Sequence, residues 1–149
     1  SPELRLFCTT SYDGRVFTSP NGTIWTERHF PNNNNATLYR ILWSSKLRLF
    51  CINDGISWIT SSNGITWTVK SLPSTVNNSG LGVCWSPELE LFCGIGINKE
   101  AISYDGTTWT ERAVPECNSS IGQMCWAPEL HRFCGICSDT NKVIVGFVR

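Results

Sequence analysis

The chain has 149 residues, of which 41% are hydrophobic and 16% charged, with twelve basic residues balancing twelve acidic ones. One domain with a real core is within reach of that length, while zero net charge argues against a nucleic-acid or polybasic membrane partner. No uncharged apolar run approaches the roughly 18 residues of a membrane span, and the start at Ser1, without Met or a signal peptide, is that expected of a trimmed product or a piece of a longer chain.

The predicted elements begin inside a motif. Residues 1–8 read Pro-Glu-Leu-x-x-Phe-Cys after Ser1, a turn followed by the start of a strand. Asp13-Gly14 predicts the next turn and Val16-Phe17-Thr18 the next strand. Ser19-Pro20-Asn21-Gly22-Thr23-Ile24-Trp25-Thr26 then predicts a tight hairpin at Asn-Gly, because Gly supplies positive φ, with Trp25 on the strand that follows. A polar loop with Pro31 leads to Trp43, and the series starts again. Turns at Asp54-Gly55 and near Asn98-Lys99, strands at Ser57-Trp58-Ile59 and Leu91-Phe92-Cys93-Gly94-Ile95, and loops with Pro73 and Pro115 repeat the order. No segment carries a helical period over a useful length.

The repetition is quantitative. Trp25, Trp67 and Trp109 are 42 residues apart, as are Gly22, Gly64 and Gly106; Cys8, Cys51, Cys93 and Cys134 are spaced 43, 42 and 41. The unit opens Trp-Ser/Ala-Pro-Glu-Leu-x-x-Phe-Cys, at Trp85–Cys93 and Trp126–Cys134, with Ser45-Lys46 replacing Pro-Glu in the copy from Trp43. It continues to Ser-x-Asn/Asp-Gly-x-x-Trp-Thr at Ser19–Thr26, Ser61–Thr68 and Ser103–Thr110. Four short strands per unit of this length make a β-propeller blade, which must stack on neighbours to bury its faces. The expected fold is therefore all-β, with blades of four antiparallel strands in about three and a half 42-residue repeats. The units fall at about 1–42, 43–84, 85–125 and 126–149, the first lacking its first strand and the last its fourth. The Trp, Phe, Leu and Cys at fixed register are expected to pack between sheets.

The Ser-x-Asn/Asp-Gly-x-x-Trp-Thr segments resemble the Asp-box, or bacterial-neuraminidase repeat, of β-propeller proteins, in a contracted form. The flanking Trp-Ser-Pro-Glu-Leu-x-x-Phe-Cys looks like repeats of phage, giant-virus and uncharacterised secreted propellers. The resemblance implies a folding device rather than an active site. Its roles would fall on Ser19, Asn21, Gly22 and Trp25, on Ser61, Asn63, Gly64 and Trp67, and on Ser103, Asp105, Gly106 and Trp109: side chains that tie the hairpin, a Gly that turns it and a Trp that packs into the blade. Two of the three copies have Asn where the family prefers Asp, and the fourth unit has Val145-Gly146-Phe147 instead.

Other candidate sites are covalent. Asn35, Asn77 and Asn118 head sequons in the three polar loops and are candidate glycosylation sites, whereas Asn21 heads one inside a hairpin and is a poorer acceptor. Eight Cys allow disulfides. Cys84 could face Cys93, Cys125 could face Cys134, and Cys117 could pair with Cys137; free buried thiols are the alternative. Cys134-Gly-Ile-Cys137 has no matching second half, so no zinc or other metal site is expected.

Catalysis is not expected either. A sialidase would need clustered Arg with Tyr, Glu and Asp. Here Arg5, Arg48 and Arg132 recur near one turn, Arg28 and Arg112 follow the box, and His29 and His131 stand apart. Every prominent residue recurs by repeat, whereas an active site is asymmetric. The expectation is a non-enzymatic structural or assembly protein without catalytic residues or cofactors. It would associate with itself, into oligomers or filaments, at a virion surface or outside the cell. The alternative is a carbohydrate- or protein-binding propeller module within a longer viral or secreted protein.

Overall fold

The computed structural model describes residues 1–29, 38, 40–72, 82–96, 98–113, 121–137 and 143–146. It is all-β, and the described residues hold no α-helix and a single three-residue 3-10 turn, at Pro128–Leu130. Two compact units divide the chain, Ser1–Ser71 and Leu72–Arg149.

The first unit holds two sheets. Strands β1 (Phe7–Thr10), β2 (Val16–Ser19) and β3 (Thr26–Arg28) form a three-stranded antiparallel sheet, and β4 (Arg40–Ser44), β5 (Leu49–Asn53), β6 (Ser57–Ser61) and β7 (Thr68–Ser71) a four-stranded one. The second unit repeats the pattern. It has a four-stranded sheet of β8 (Val83–Ser86), β9 (Leu91–Gly96), β10 (Lys99–Ser103) and β11 (Thr110–Ala113), then a three-stranded sheet of β12 (Ile121–Ala127), β13 (Arg132–Cys137) and β14 (Val143–Gly146). Within every sheet the strands pair in chain order. The opening strands β4, β8 and β12 span the unit boundaries set at Trp43, Trp85 and Trp126.

Register repeats with the sequence. Trp43 faces Phe50, Trp85 faces Phe92 and Trp126 faces Phe133 across the first strand pair of sheets two, three and four. Their ring centroids lie 4.7, 4.6 and 4.6 Å apart in tilted arrangements, within the range that aromatic pairs prefer. These pairs extend into the cores. In the first unit Val16, Leu38, Phe50, Ile52, Ile59 and Trp67 cluster, with Leu4, Leu6 and Trp43 packed against them. In the second, Leu91, Cys93, Ile95, Ile102, Met124, Phe133 and Cys137 form the equivalent cluster.

The turn between the first and second strands has its own chemistry. The Oγ of Ser1, Ser44 and Ser86 accepts the N–H of the Leu three residues on, at 3.1, 3.1 and 3.0 Å. Ala127 has no hydroxyl at this position, and the chain makes the 3-10 turn there instead. Each turn ends on a residue with positive φ: Arg5, Arg48, Glu90 and His131.

Two expectations are corrected. The box Trp does not lie on the fourth strand: Trp25, Trp67 and Trp109 immediately precede β3, β7 and β11. Nor is the hairpin tight. The last paired residues are Thr18 with Thr26, Thr60 with Thr68 and Ile102 with Thr110, leaving seven residues between them. The Gly does adopt positive φ, +77° at Gly22 and +71° at Gly64. The physical reason for the longer turn lies in the side chains it encloses.

Candidate functional site

The three Ser-x-Asx-Gly turns are one structure made three times. The buried hydroxyls of Ser19, Ser61 and Ser103 accept the N–H of Gly22, Gly64 and Gly106 at 2.8, 2.8 and 2.9 Å. Each hydroxyl also donates to the Oδ1 of Asn21, Asn63 or Asp105, at 3.2, 3.1 and 3.1 Å. That Oδ1 in turn accepts two further backbone N–H groups: Thr23 and Ile24 at 3.0 Å, Ile65 and Thr66 at 2.8 and 2.9 Å, Thr107 and Thr108 at 2.7 Å. One side chain thereby orders the backbone up to the residue before the Trp, which prevents a two-residue hairpin. The Asp bonds are the shortest, as expected of a charged acceptor.

The polar atoms of these turns are thus committed to holding the backbone. The bonds from Thr108 and Thr107 pull the Asp105 carboxyl down to about 2. A folded pKa below the unfolded one stabilises the fold in full above about pH 4, and the contribution disappears as the pH falls towards 2. Asp105→Asn, which reproduces the other two turns, is expected to flatten that acid limb of stability in thermal melts between about pH 4 and 2. An unchanged limb would remove the assignment. Asp13, lowered to about 2 by Arg15 and then Ser11, keeps a residual slope in the variant.

A second repeated contact links neighbouring sheets within each unit. Trp43 Nε1 donates to Glu3 Oε2 at 2.9 Å, and Trp126 Nε1 donates to Glu88 Oε2 at 2.5 Å. In both cases the acceptor is the Glu of the Pro-Glu-Leu turn one repeat earlier. Trp85 differs: its Nε1 is buried without an acceptor among the described residues, and the Glu position of the preceding repeat is Lys46, which can only donate. This clip was missed from sequence, although the recurrence of Glu one period before Trp is a usable signal.

Sheet one departs from its siblings in exposure. Phe7 occupies the repeat position of Phe50 and Phe92 but is 56% exposed, against 2% and 0%. Trp25 is 42% exposed where its counterpart Trp67 is 9%. Ile24 and Tyr12 are exposed as well.

The cysteines Cys84 and Cys93, and Cys125 and Cys134, face one another in register. Ile95 N–H donates to Gly82 O at 2.9 Å, so by antiparallel alternation Cys84 and Cys93 form a hydrogen-bonded pair, whose side chains stand farther apart than the intervening pairs. Burial raises the Cys8 thiol to about 12 and raises Cys51 and Cys93 as well, which keeps them protonated and unreactive. Cys117 and the sequon residues Asn35, Asn77 and Asn118 lie outside the described residues.

Sequence reasoning also passed over Glu100. Its side chain is buried in β10 with Arg112 opposite on β11, 4.0 Å away. Burial raises its pKa and Arg112 opposes the rise. Among the described residues no three His, Cys, Asp or Glu side chains converge as a metal site would require.

No family model matches the sequence, and no curated protein matches it. Solved structures do. All of this chain aligns with selenomethionine-substituted virginiamycin B lyase from Staphylococcus aureus, at a TM-score of 0.61, 13% identity and 57% coverage of that chain. A catalytically inactive variant of virginiamycin B lyase from Staphylococcus aureus, with quinupristin, aligns with 97% of this chain and 56% of its own, at 0.60 and 13%. A streptogramin B lyase aligns with 95% of this chain and 53% of its own, at 0.58 and 15%. The chain therefore spans just over half the length of these structures. At such identities the likeness is one of fold, and the fold is that of β-propeller blades.

Proposed function

We propose that this chain is a non-enzymatic propeller-blade module that works by assembly, associating with copies of itself at a virion surface or outside the cell. The observation behind this reading is the exposed apolar surface of sheet one, Phe7 and Trp25 above all, at repeat positions that are buried elsewhere in the molecule. Large apolar side chains exposed at positions that the same fold otherwise buries are a mark of interaction sites. The hydrogen bonding of the three Ser-x-Asx-Gly turns supports counting them as contracted Asp-boxes with a purely structural task, since their polar side chains are engaged in ordering backbone. The lyase activity named for the similar structures is not carried across at 13% identity.

Size-exclusion chromatography with light scattering tests the reading. The expected result is a mass well above 16.7 kDa that falls on dilution. A constant monomer mass across the concentration range would defeat it.

A further inference from the structure

Only two of the twelve Asn precede Gly, Asn21 and Asn63, and both lie in the Ser-x-Asx-Gly turns. In an Asn-Gly pair the main-chain nitrogen of Gly can attack the side-chain amide carbon of Asn, with no Cβ on the Gly to obstruct the approach. Turn two holds every group of that reaction. The nucleophile is the Gly64 nitrogen, whose N–H donates to Ser61 Oγ at 2.8 Å. The attacked carbon carries Asn63 Oδ1, which accepts from Ile65 N–H, Thr66 N–H and the Ser61 hydroxyl. The amide that would leave, Nδ2, donates to Thr66 Oγ1 at 3.0 Å. Turn one repeats the first two holds, at Gly22 N–H and at Asn21 Oδ1. It lacks the third, because Ile24 stands where Thr66 does. Turn three carries Asp105 with the same bonds to Ser103, Thr107 and Thr108, so an acid fits this position.

We propose that Asn21 and Asn63 are latched self-modification sites, at which local opening of the turn starts deamidation and the Ser hydroxyl is the latch. Once Gly64 N–H is released and loses its proton to solvent, the nitrogen bonds to Asn63 Cγ. The Cγ–Nδ2 bond breaks, and ammonia leaves with a proton from water. The cyclic imide then takes up one water at either carbonyl. One opening gives aspartate, the residue that turn three already uses. The other gives isoaspartate, which routes the main chain through the side-chain carbon and takes the acceptor away from the Ile65 and Thr66 amides. Closed, the turn forbids the first step, because the proton that must leave is held by a neutral hydroxyl that is itself committed to Oδ1. The rate therefore follows the opening equilibrium of the turn, and each event adds one negative charge to a chain of zero net charge. This chemistry is independent of self-association.

The test follows the whole chain by peptide-mapping mass spectrometry during incubation at neutral pH, beside synthetic peptides copying residues 19–26 and 61–68. Both Asn are expected to convert more slowly in the chain than in the peptides. Ser61→Ala should speed conversion at Asn63 roughly five- to tenfold, the effect of losing one hydrogen bond, and leave Asn21 unchanged. Amide exchange at Gly64 should quicken in parallel. Two further variants act on the third hold: Thr66→Val should speed conversion at Asn63, and Ile24→Thr should slow it at Asn21. Melting curves confirm that each variant is folded; if Ser61→Ala does not fold, the other two decide. Equal rates in chain and peptides would overturn the proposal. So would a Ser61→Ala chain that speeds both sites alike, which is the mark of global unfolding. A slower Ser61→Ala chain would also overturn it, since the hydroxyl would then be relaying the proton rather than holding it.

Discussion

Trp67→Ala is expected to cost about 3–5 kcal/mol of stability, and Trp25→Ala about 1 kcal/mol, although the two residues occupy one repeat position. The difference follows from their surroundings. Trp67 is buried in the core of the first unit, its ring centroid 6.4 Å from that of Phe50. Removing it leaves a cavity that the paired strands cannot close. Trp25 is half-exposed, and its Nε1 donates to Gly22 O of its own turn at 3.2 Å. Its loss forfeits less buried area and no shared core. Urea unfolding of both variants measures the contrast; equal losses would show that repeat position, not burial, sets the energetics.

The second large effect concerns the Gly of the same turns. Gly64 and Gly22 both have positive φ, so alanine at either pays about 1–2 kcal/mol of backbone strain, partly offset by about 0.4–1 kcal/mol from a less flexible unfolded chain. Space separates the two. A Cβ at Gly64 would lie 2.9 Å from Leu6 Cδ2 and 3.2 Å from Thr18 Cγ2, whereas at Gly22 its nearest neighbour is Phe7 at 3.7 Å. Overpacking adds about 1–3 kcal/mol at Gly64. Gly64→Ala is therefore expected to lose about 2–4 kcal/mol and Gly22→Ala about 1 kcal/mol, read from denaturation midpoints. If both lose the same amount, the packing of Leu6 and Thr18 on this turn is not as described.

Much of the architecture was legible because the repeat places Trp, Gly and Cys at one period, and β-strands were the only elements that fit between the turn signals. What escaped was decided by groups distant in sequence or by backbone states without a residue signature. Asn-Gly signals a two-residue hairpin, but the preceding Ser and the Asx Oδ1 capture three N–H groups and extend the turn to the Trp. The Trp43–Glu3 clip joins residues 40 positions apart. The left-handed residue closing each first turn is Arg5, Arg48, Glu90 or His131, none of which announces positive φ as Gly or Asn would. Phe7 and Phe50 are identical letters at equivalent positions, and only the strand beside Phe50 makes their exposures differ.

Strand order within the sheets has a kinetic consequence. Every ladder joins strands adjacent along the chain, so each pairing closes only a short loop and pays little closure entropy. Such local pairing contrasts with the distant contacts that slow the folding of β-sandwiches and SH3-like barrels. Hairpins here can form independently and early, on the microsecond scale of isolated hairpins. The slower event is the docking of one sheet on the next, where Trp43 reaches Glu3 and Trp126 reaches Glu88. Folding within each unit is thus expected to be a nearest-neighbour process, in which one formed sheet is the template for the other. A chain released from synthesis would gather itself in the order in which it is made.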